Sequence, residues 1–241
     1  MRQVPVSYLV IGNGRLARHL RHYFSLLSIP FQSWHRGQSF SELQAKVAQA
    51  SHILILISDD ALQDFINEHL QDSKAFIIHC SGSRVCEGAY GVHPLMTFGQ
   101  ELYDLVAYQQ IPLLIDHDAP ELTALLPGLN NPHQHLHTSK KTQYHALCVL
   151  AGNFSCMLWQ KLFTDFEQAL NLPKELAHPY LKQQMQNLLT APESALTGPV
   201  VRQDQKTIAK NLQALTDDPF QEVYESFVSC YQKNQTLEAK V

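Results

Sequence analysis

Residues 9–20 read LVIGNGRLARHL, and how this stretch is read decides the fold. An apolar run ends at Gly12, a second glycine follows at Gly14, and a helix-like pattern then carries Arg15, Arg18 and Arg21. Gly12-Asn13-Gly14-Arg15-Leu16-Ala17 fits G-x-G-x-x-A, the alanine form of the dinucleotide-binding turn. Each position has a mechanical reason. Gly12 permits a tight turn out of a strand, Gly14 lets backbone approach a pyrophosphate, and Ala17 lets the following helix pack closely on the strand. Short patterns of this kind also arise by chance, and it is the position between a strand and a helix that gives this one meaning. A cation in the first turn of a helix opposes the helix dipole. Arg15 is therefore either the neighbour of a bound phosphate or a side chain extended into solvent.

Outward from this turn, short apolar runs alternate with helical patterns. SYLVIG (7–12), FQSW (31–34), HILILIS (52–58), AFIIHCSG (75–82) and IPLLID (111–116) read as strands, with helices expected between them at 14–27, 39–50 and 59–70. Continuous apolar strands between helices predict a mainly parallel sheet covered on both faces. Right-handed crossovers then give a doubly wound α/β domain of Rossmann-like type. After about residue 138 no strand pattern remains. The segment 140–170 is a long helix, apolar around much of its circumference and so expected to be buried on most sides. Helices are also expected at 173–190, 204–216 and 219–235, with a loop at 191–204 that contains Pro192 and the Gly198-Pro199 pair. The expected organisation is an α/β domain over 1–138 and an all-helical domain over 139–241.

Composition narrows the function classes. Apolar residues make up 45% and charged residues 17% of 241 positions, ordinary values for a soluble globular chain. A formal charge of −4 gives no global attraction to nucleic acid. The longest strongly apolar run, HILILI at 52–57, falls far short of the roughly 20 residues that span a bilayer, so no membrane partner is expected. Arg2 and the short run after it lead straight into the glycine turn without a small-residue cleavage site, which argues against a signal peptide. Five cysteines without a C-x-x-C suggest buried thiols in a reduced, cytoplasmic protein.

Several side chains point to chemistry. An acid near the end of the second strand, about 20 residues beyond the turn, would hold the ribose 2′-OH of NAD. No acid occurs from Ser25 through Ser41, and Arg36 stands there instead. Arginine suits the 2′-phosphate of NADP and can stack on adenine, so NADP(H) is the expected cofactor, the alternative being a surface loop arginine. Ser58, Ser81 and Gly82 follow the third and fourth strands, at the carboxyl edge of the sheet where ligands bind. Asp59 and Asp60 are also placed to cap the next helix. GVHPLMTF (91–98) belongs to the same edge, and Pro94 holds His93 extended toward a substrate. His133, His135 and His137 share one side if extended, but no nearby acid or cysteine completes a metal set, so no metal is expected. On the long helix Lys141 and His145 are one turn apart, and Asn153 interrupts an apolar run. Polar groups in such a helix are explained if they line a cleft.

GNGRLA, HCSG, HPLMTF, YHALCVLAGNF and ALTGPVVRQD occur in that order. Together they resemble the bacterial proteins that join a Rossmann-like domain to the DUF2520 domain, and the resemblance spans essentially the whole chain. It implies kinship with the group of 6-phosphogluconate dehydrogenase, pyrroline-5-carboxylate reductase and ketopantoate reductase. It also implies a helical domain like the C-terminal one of 6-phosphogluconate dehydrogenase, and a homodimer. The implied activity is NADPH-dependent reduction of a small 2-oxo acid, ketopantoate in particular. Imine reduction, or a nucleotide-sensing or scaffold protein without turnover, are the alternatives. In that reading Lys141 is the general acid with His145 second, Asn153 orients the substrate, and Gly12, Asn13, Gly14, Arg15, Leu16, Ala17, Arg36, Ser58, Ser81 and Gly82 hold the cofactor. His93, Thr197, Gly198 and Arg202 bind the substrate, the arginine suiting a carboxylate. The family usually carries Arg-Gly-Asp in the last motif, and this chain has Gln203 in the glycine's place.

Overall fold

The computed structural model describes residues 6–238, which separate into two compact units divided between Leu158 and Trp159. The first unit is built on one seven-stranded sheet in the order β2-β1-β3-β4-β5-β6-β7. The strands are β1 (Tyr8–Ile11), β2 (Phe31–Trp34), β3 (His52–Ile55), β4 (Phe76–His79), β5 (Tyr90–Pro94), β6 (Leu113–Asp116) and β7 (His133–Leu136). All pairings are parallel except β5 with β6. The connecting helices are α1 (Arg15–Leu26), α2 (Phe40–Val47), α3 (Leu62–His69), α4 (Leu105–Gln109) and α5 (Leu122–Leu125). This is the doubly wound α/β architecture that the sequence predicts. Two strands of the sheet have no apolar run to announce them: in β5 Gly91, His93 and Pro94 break the pattern, and β7 reads HQHL.

Both faces of the sheet are covered, which explains the continuous apolar strands. Tyr8, Val10, Leu54, Ile78, Val92 and Ile115 pack with Phe24 and Tyr108 on one face. Leu9, Ile11, Ile53, Ile55 and Ile77 pack with Trp34, Leu43 and Leu62 on the other. The register aligns one row across this second face near the carboxyl edge: Trp34, Ile11, Ile55, His79 and Gly91 are successive neighbours. The row begins apolar and turns polar where it leaves the cofactor turn.

From Lys141 the chain is helical for a long stretch: α6 (Lys141–Cys148), a π-helical turn (Val149–Phe154) and α7 (Ser155–Gln168). The helical run Thr138–Gln168 is long and apolar enough, by length and composition, to cross a membrane. A search for an uninterrupted apolar run overlooks it because polar residues punctuate it. The expectation that this helix is buried on most sides is not met. Leu147, Leu150, Phe154, Met157 and Leu158 are exposed. The second unit contains α8 (His178–Thr190), α9 (Gln205–Ala214) and α10 (Phe220–Glu238). Lys161 in this unit is paired with Asp165 and Asp218.

Candidate active site

The glycine turn has the geometry its sequence requires. Gly12 has φ +123°, and a Cβ there would meet the Leu56 carbonyl oxygen at 2.2 Å, so only glycine fits. Gly14 is the N-cap of α1 with no side-chain cap, and a Cβ on it would meet nothing within 4 Å. The first N–H groups of α1 are thus left without a capping side chain on an open side. Arg21 secures the turn from about two helical turns further on, donating to the Gly12 carbonyl at 3.2 Å and to Asn13 Oδ1 at 2.9 Å. Asn13 is therefore committed to holding the loop. The arginines of this helix divide: Arg18 donates to the Gln100 carbonyl, and Arg15 has no partner among the described residues.

A cleft of about 1010 Å³ opens along the carboxyl ends of β1, β2 and β3. It is lined by the whole turn from Gly12 to Ala17, by His35 and Arg36, and by Ser58, Asp59 and Ser81. Arg36 is exposed and unpaired there. The residues present fit a dinucleotide phosphate: an uncapped helix N-terminus and two arginines without counter-ions. A second depression of about 960 Å³ sits by the opposite ends of the strands and is lined by none of the residues the sequence singles out.

Asp59 and Asp60 do not cap the next helix. The Ser81 hydroxyl donates to Asp59 Oδ2 at 2.6 Å, and Arg84 pairs with Asp60, so both acids tie the loop after β3 to the loop after β4. Ser81 and Gly82 are held at the cleft end by this bridge. A Cβ on Gly82 would lie 2.5 Å from His145 Cδ2 and 3.0 Å from His93 Nε2, so the absence of a side chain is what admits both rings. His93 Nδ1 is 2.7 Å from the Tyr144 hydroxyl. Three of the predicted residues, Gly82, His93 and His145, therefore meet at one point, and Tyr144 joins them unannounced.

Lys141 is deeply buried, its side chain 4% exposed, with Nζ 2.7 Å from Asp116 Oδ1. Asp116 Oδ2 accepts from the Gly91 N–H at 2.8 Å. The approach of lysine to aspartate is an ion-pair distance without hydrogen-bond angles, and Nζ has no hydrogen-bond acceptor among the described residues. The ammonium lies directly over Gly91, where a Cβ would be 2.4 Å from it. His79, beside Gly91 in the register, accepts at Nδ1 from the Ser81 N–H, so its remaining proton is on Nε2, which also has no acceptor. Burial, helped by the Lys141 charge, lowers the His79 pKa to about 4. Burial, then His145 and Lys141, lowers His93 likewise to about 4.

Two of these groups escaped the sequence reading. Asp116 closes an ordinary apolar strand, and its only signal was an acid ending a buried run. Tyr144 stands one turn after Lys141 but looks like any helix aromatic. Asn153 falls in the exposed π-helical turn, a form often found at functional sites. Thr197, Gly198 and Arg202 lie in the second unit, in the turn that leads into α9. Gly198 there has φ +99° and its carbonyl accepts from the Arg202 N–H. Gln203 has φ +55°, a left-handed conformation that glycine adopts without steric cost. The three histidines at 133–137 are separately engaged: His133 with the Asn131 carbonyl, His135 with the Asp116 carbonyl and His137, just after β7, with Ser139. Among the described residues no group of three or more side chains is placed to hold a metal.

Residues 116–229 match the family model described as Domain of unknown function (DUF2520), the resemblance named from the sequence. Comparison with curated proteins finds no match. Solved structures are similar over almost the full length. A Bacteroides fragilis protein assigned as an NADP oxidoreductase is 23% identical, with TM-score 0.77 over 95% of this chain and 98% of that one. A Thermotoga maritima protein is 22% identical, with TM-score 0.68 over 96% and 99%. Plasmodium falciparum pyrroline carboxylate reductase, with NADP bound, is 10% identical, with TM-score 0.56 over 95% and 97%. At these identities the likeness is one of fold.

Proposed function

We propose that this chain is an NADPH-dependent reductase of a small 2-oxo acid, with ketopantoate as the specific substrate. The observation that carries the reading is the junction at Ser81-Gly82, where the cleft of the glycine turn adjoins His93 and His145. We take residues 1–138 as the nucleotide-binding part and 139–241 as the helical part. Gly12 to Ala17, Ser58, Ser81 and Gly82 line the cofactor's path, Arg15 faces its phosphates and Arg36 its 2′-phosphate. When bound, NADPH supplies the hydride that a carbonyl carbon accepts.

The chain's own residues then have to manage the carbonyl oxygen, on which the C=O electron pair comes to rest. That oxygen needs a proton and a stabilising charge. Lys141 is the proposed general acid, supported by a buried Nζ whose ion-pair partner among the described residues is Asp116 and which meets no further acceptor. Asp116 keeps that ammonium at Gly91. His145 is the second candidate, and solvent restores the proton after turnover. Asn153 orients the substrate, and Thr197, Gly198 and Arg202 hold its carboxylate, arginine being suited to two-point binding. A second reading, reduction of a cyclic imine, is supported by the likeness to the Plasmodium reductase. It asks less of the general acid.

We also take the protein to be a cytoplasmic homodimer. The exposed stripe Leu147, Leu150, Phe154, Met157 and Leu158 runs along α6, the π-helical turn and α7 at helical spacing, and such a contiguous apolar face marks an interaction surface. Light scattering should give twice the chain mass.

The test of the activity is a steady-state screen of 2-oxo acids and cyclic imines with NADPH. Ketopantoate should be turned over, and Lys141→Ala or Asn153→Ala should abolish it. Tight NADPH binding with no turnover of any 2-oxo acid or imine would replace the enzyme reading with a sensor. NADPH should raise the melting temperature more than NADH, because a ligand of the native state stabilises by mass action. Arg36→Ala should remove the difference, and equal stabilisation of the parent protein by both cofactors would sink the NADP reading.

A further inference from the structure

We infer that Tyr144 is a positioning residue that fixes the tautomer of His93, so that His93 presents a neutral Nε2–H to a substrate oxygen beside Gly82. The tautomer is a property of the protein itself, and only the role toward substrate rests on the reductase reading.

The geometry begins with the backbone. His93 precedes Pro94 in β5, which holds it extended and fixes where its ring leaves the strand. Its Nδ1 lies 2.7 Å from the Tyr144 hydroxyl on α6. Either atom of such a pair can donate, but the two directions are not equal. A phenol is the stronger donor and an imidazole nitrogen the stronger acceptor. The phenol keeps its proton: burial, then the Cys148 thiol, pushes the Tyr144 pKa up. Tyr144 therefore donates to Nδ1. A neutral imidazole has one ring proton, and with Nδ1 accepting, that proton is on Nε2.

The Nε2 atom has no protein partner among the described residues. It points at the backbone of Gly82, where an added Cβ would be 3.0 Å away. Gly82 follows Ser81, which lines the cofactor cleft. A free donor thus faces the place where cleft and catalytic candidates join.

The charged and titratable groups around the ring keep it neutral. His145 and Lys141 of α6 oppose its protonation, as burial does, whereas Asp59 after β3 favours it. The first three prevail and the ring stays uncharged to about pH 4. A neutral donor of this kind works unchanged from pH 5 to 8. It stabilises charge growing on a carbonyl oxygen without forming an imidazolate, because the proton that completes the alcohol comes from Lys141 or His145.

The experiment has two arms. Nitrogen-15 correlation of the histidine rings in the full chain, without substrate, reads the tautomer, with His93 assigned by its loss in His93→Gln. The expected result is a His93 ring protonated at Nε2 only, with no titration above about pH 5, that becomes a mixture of tautomers in Tyr144→Phe. A ring protonated at Nδ1, an ordinary titration near pH 6.5, or an unchanged signal in Tyr144→Phe would overturn the inference. In the kinetic arm Tyr144→Phe should lower kcat about 10-fold with KM nearly constant, since the hydrogen bond matters most as charge develops. His93→Phe should lower kcat by roughly 10²–10³, the usual loss of one oxyanion donor. His93→Gln, which keeps an N–H near the Nε2 position, should recover part of it. A rise in KM alone would make His93 a ground-state binder and overturn its proposed role. No turnover of any carbonyl substrate would remove the reductase reading while the ring measurement still decides the tautomer.

Discussion

Gly91→Ala is the most informative stability experiment on this fold. The backbone of Gly91 is not in the left-handed region, so alanine is conformationally acceptable and the cost must come from the added methyl. That methyl would lie 2.4 Å from Lys141 Nζ and 2.5 and 2.8 Å from the two Asp116 carboxylate oxygens. The lysine end could swing aside. The aspartate cannot follow easily, because Oδ2 accepts from the N–H of residue 91 itself. Relief therefore separates the ion pair, whose two side chains are only 4% and 11% exposed. Breaking a buried pair costs about 3–5 kcal/mol, and the mobility of the lysine end favours the lower figure. At about 2–4 °C per kcal/mol for a chain of this size, a loss of about 3 kcal/mol lowers Tm by roughly 6–12 °C. Thermal melts and urea midpoints at pH 7 measure it. In a Lys141→Ala background the same substitution should cost at least ~1 kcal/mol less, since one clashing group is gone. A Tm within about 1 °C of the parent protein, or an equal penalty in both backgrounds, would refute the packing of lysine and aspartate over Gly91.

Two further outcomes follow from single residues. His79 and His93 are held to about 4 in the folded chain, against about 6.5 when unfolded. Below about pH 6.5 the unfolded chain takes up protons that the native one does not, so their contribution is complete above that pH and lost as pH falls toward 4. Urea midpoints at pH 7, 6 and 5 should give a slope approaching ~2.7 kcal/mol per pH unit for the two groups. His79→Gln should remove about half of it, and a stability flat from pH 7 to 5 would contradict the burial of both rings. Gln203 has φ +55°, a conformation costing a non-glycine residue roughly 1–2 kcal/mol. Gln203→Gly should therefore stabilise the second unit by up to about 1 kcal/mol after the entropy of the added glycine is subtracted. A lower Tm for that variant would show that the glutamine side chain supports the turn.

What could be read from the sequence was what local rules enforce. Gly12, Gly14 and Ala17 each solve a local problem of the turn between β1 and α1, so their spacing announced the fold, and Arg36 announced itself by the absence of any acid around it. The absence of a strand pattern at β5 hid the rest. Gly91 carries no sequence signal of its own, and His93 no visible partner, because the reason for each lies on other elements. Gly91 makes room for an ammonium that arrives from α6, 50 residues later in the chain. Gly82 makes room for two rings from β5 and α6 in the same way. The candidate site is thus built by removing side chains from strand ends and filling the space with polar groups from a helix. A single sequence shows the removal and the filling separately, as glycines and as polar interruptions, and gives no measure of their distance. The same logic bears on Asp116. A carboxylate at the end of a buried strand is unfavourable alone, so its presence required a cation nearby, and Lys141 was the cation already suspected. Pairing the two from sequence would have needed that energetic argument in addition to the motif, and it would have placed Lys141 over the sheet edge without reference to its position on the helix.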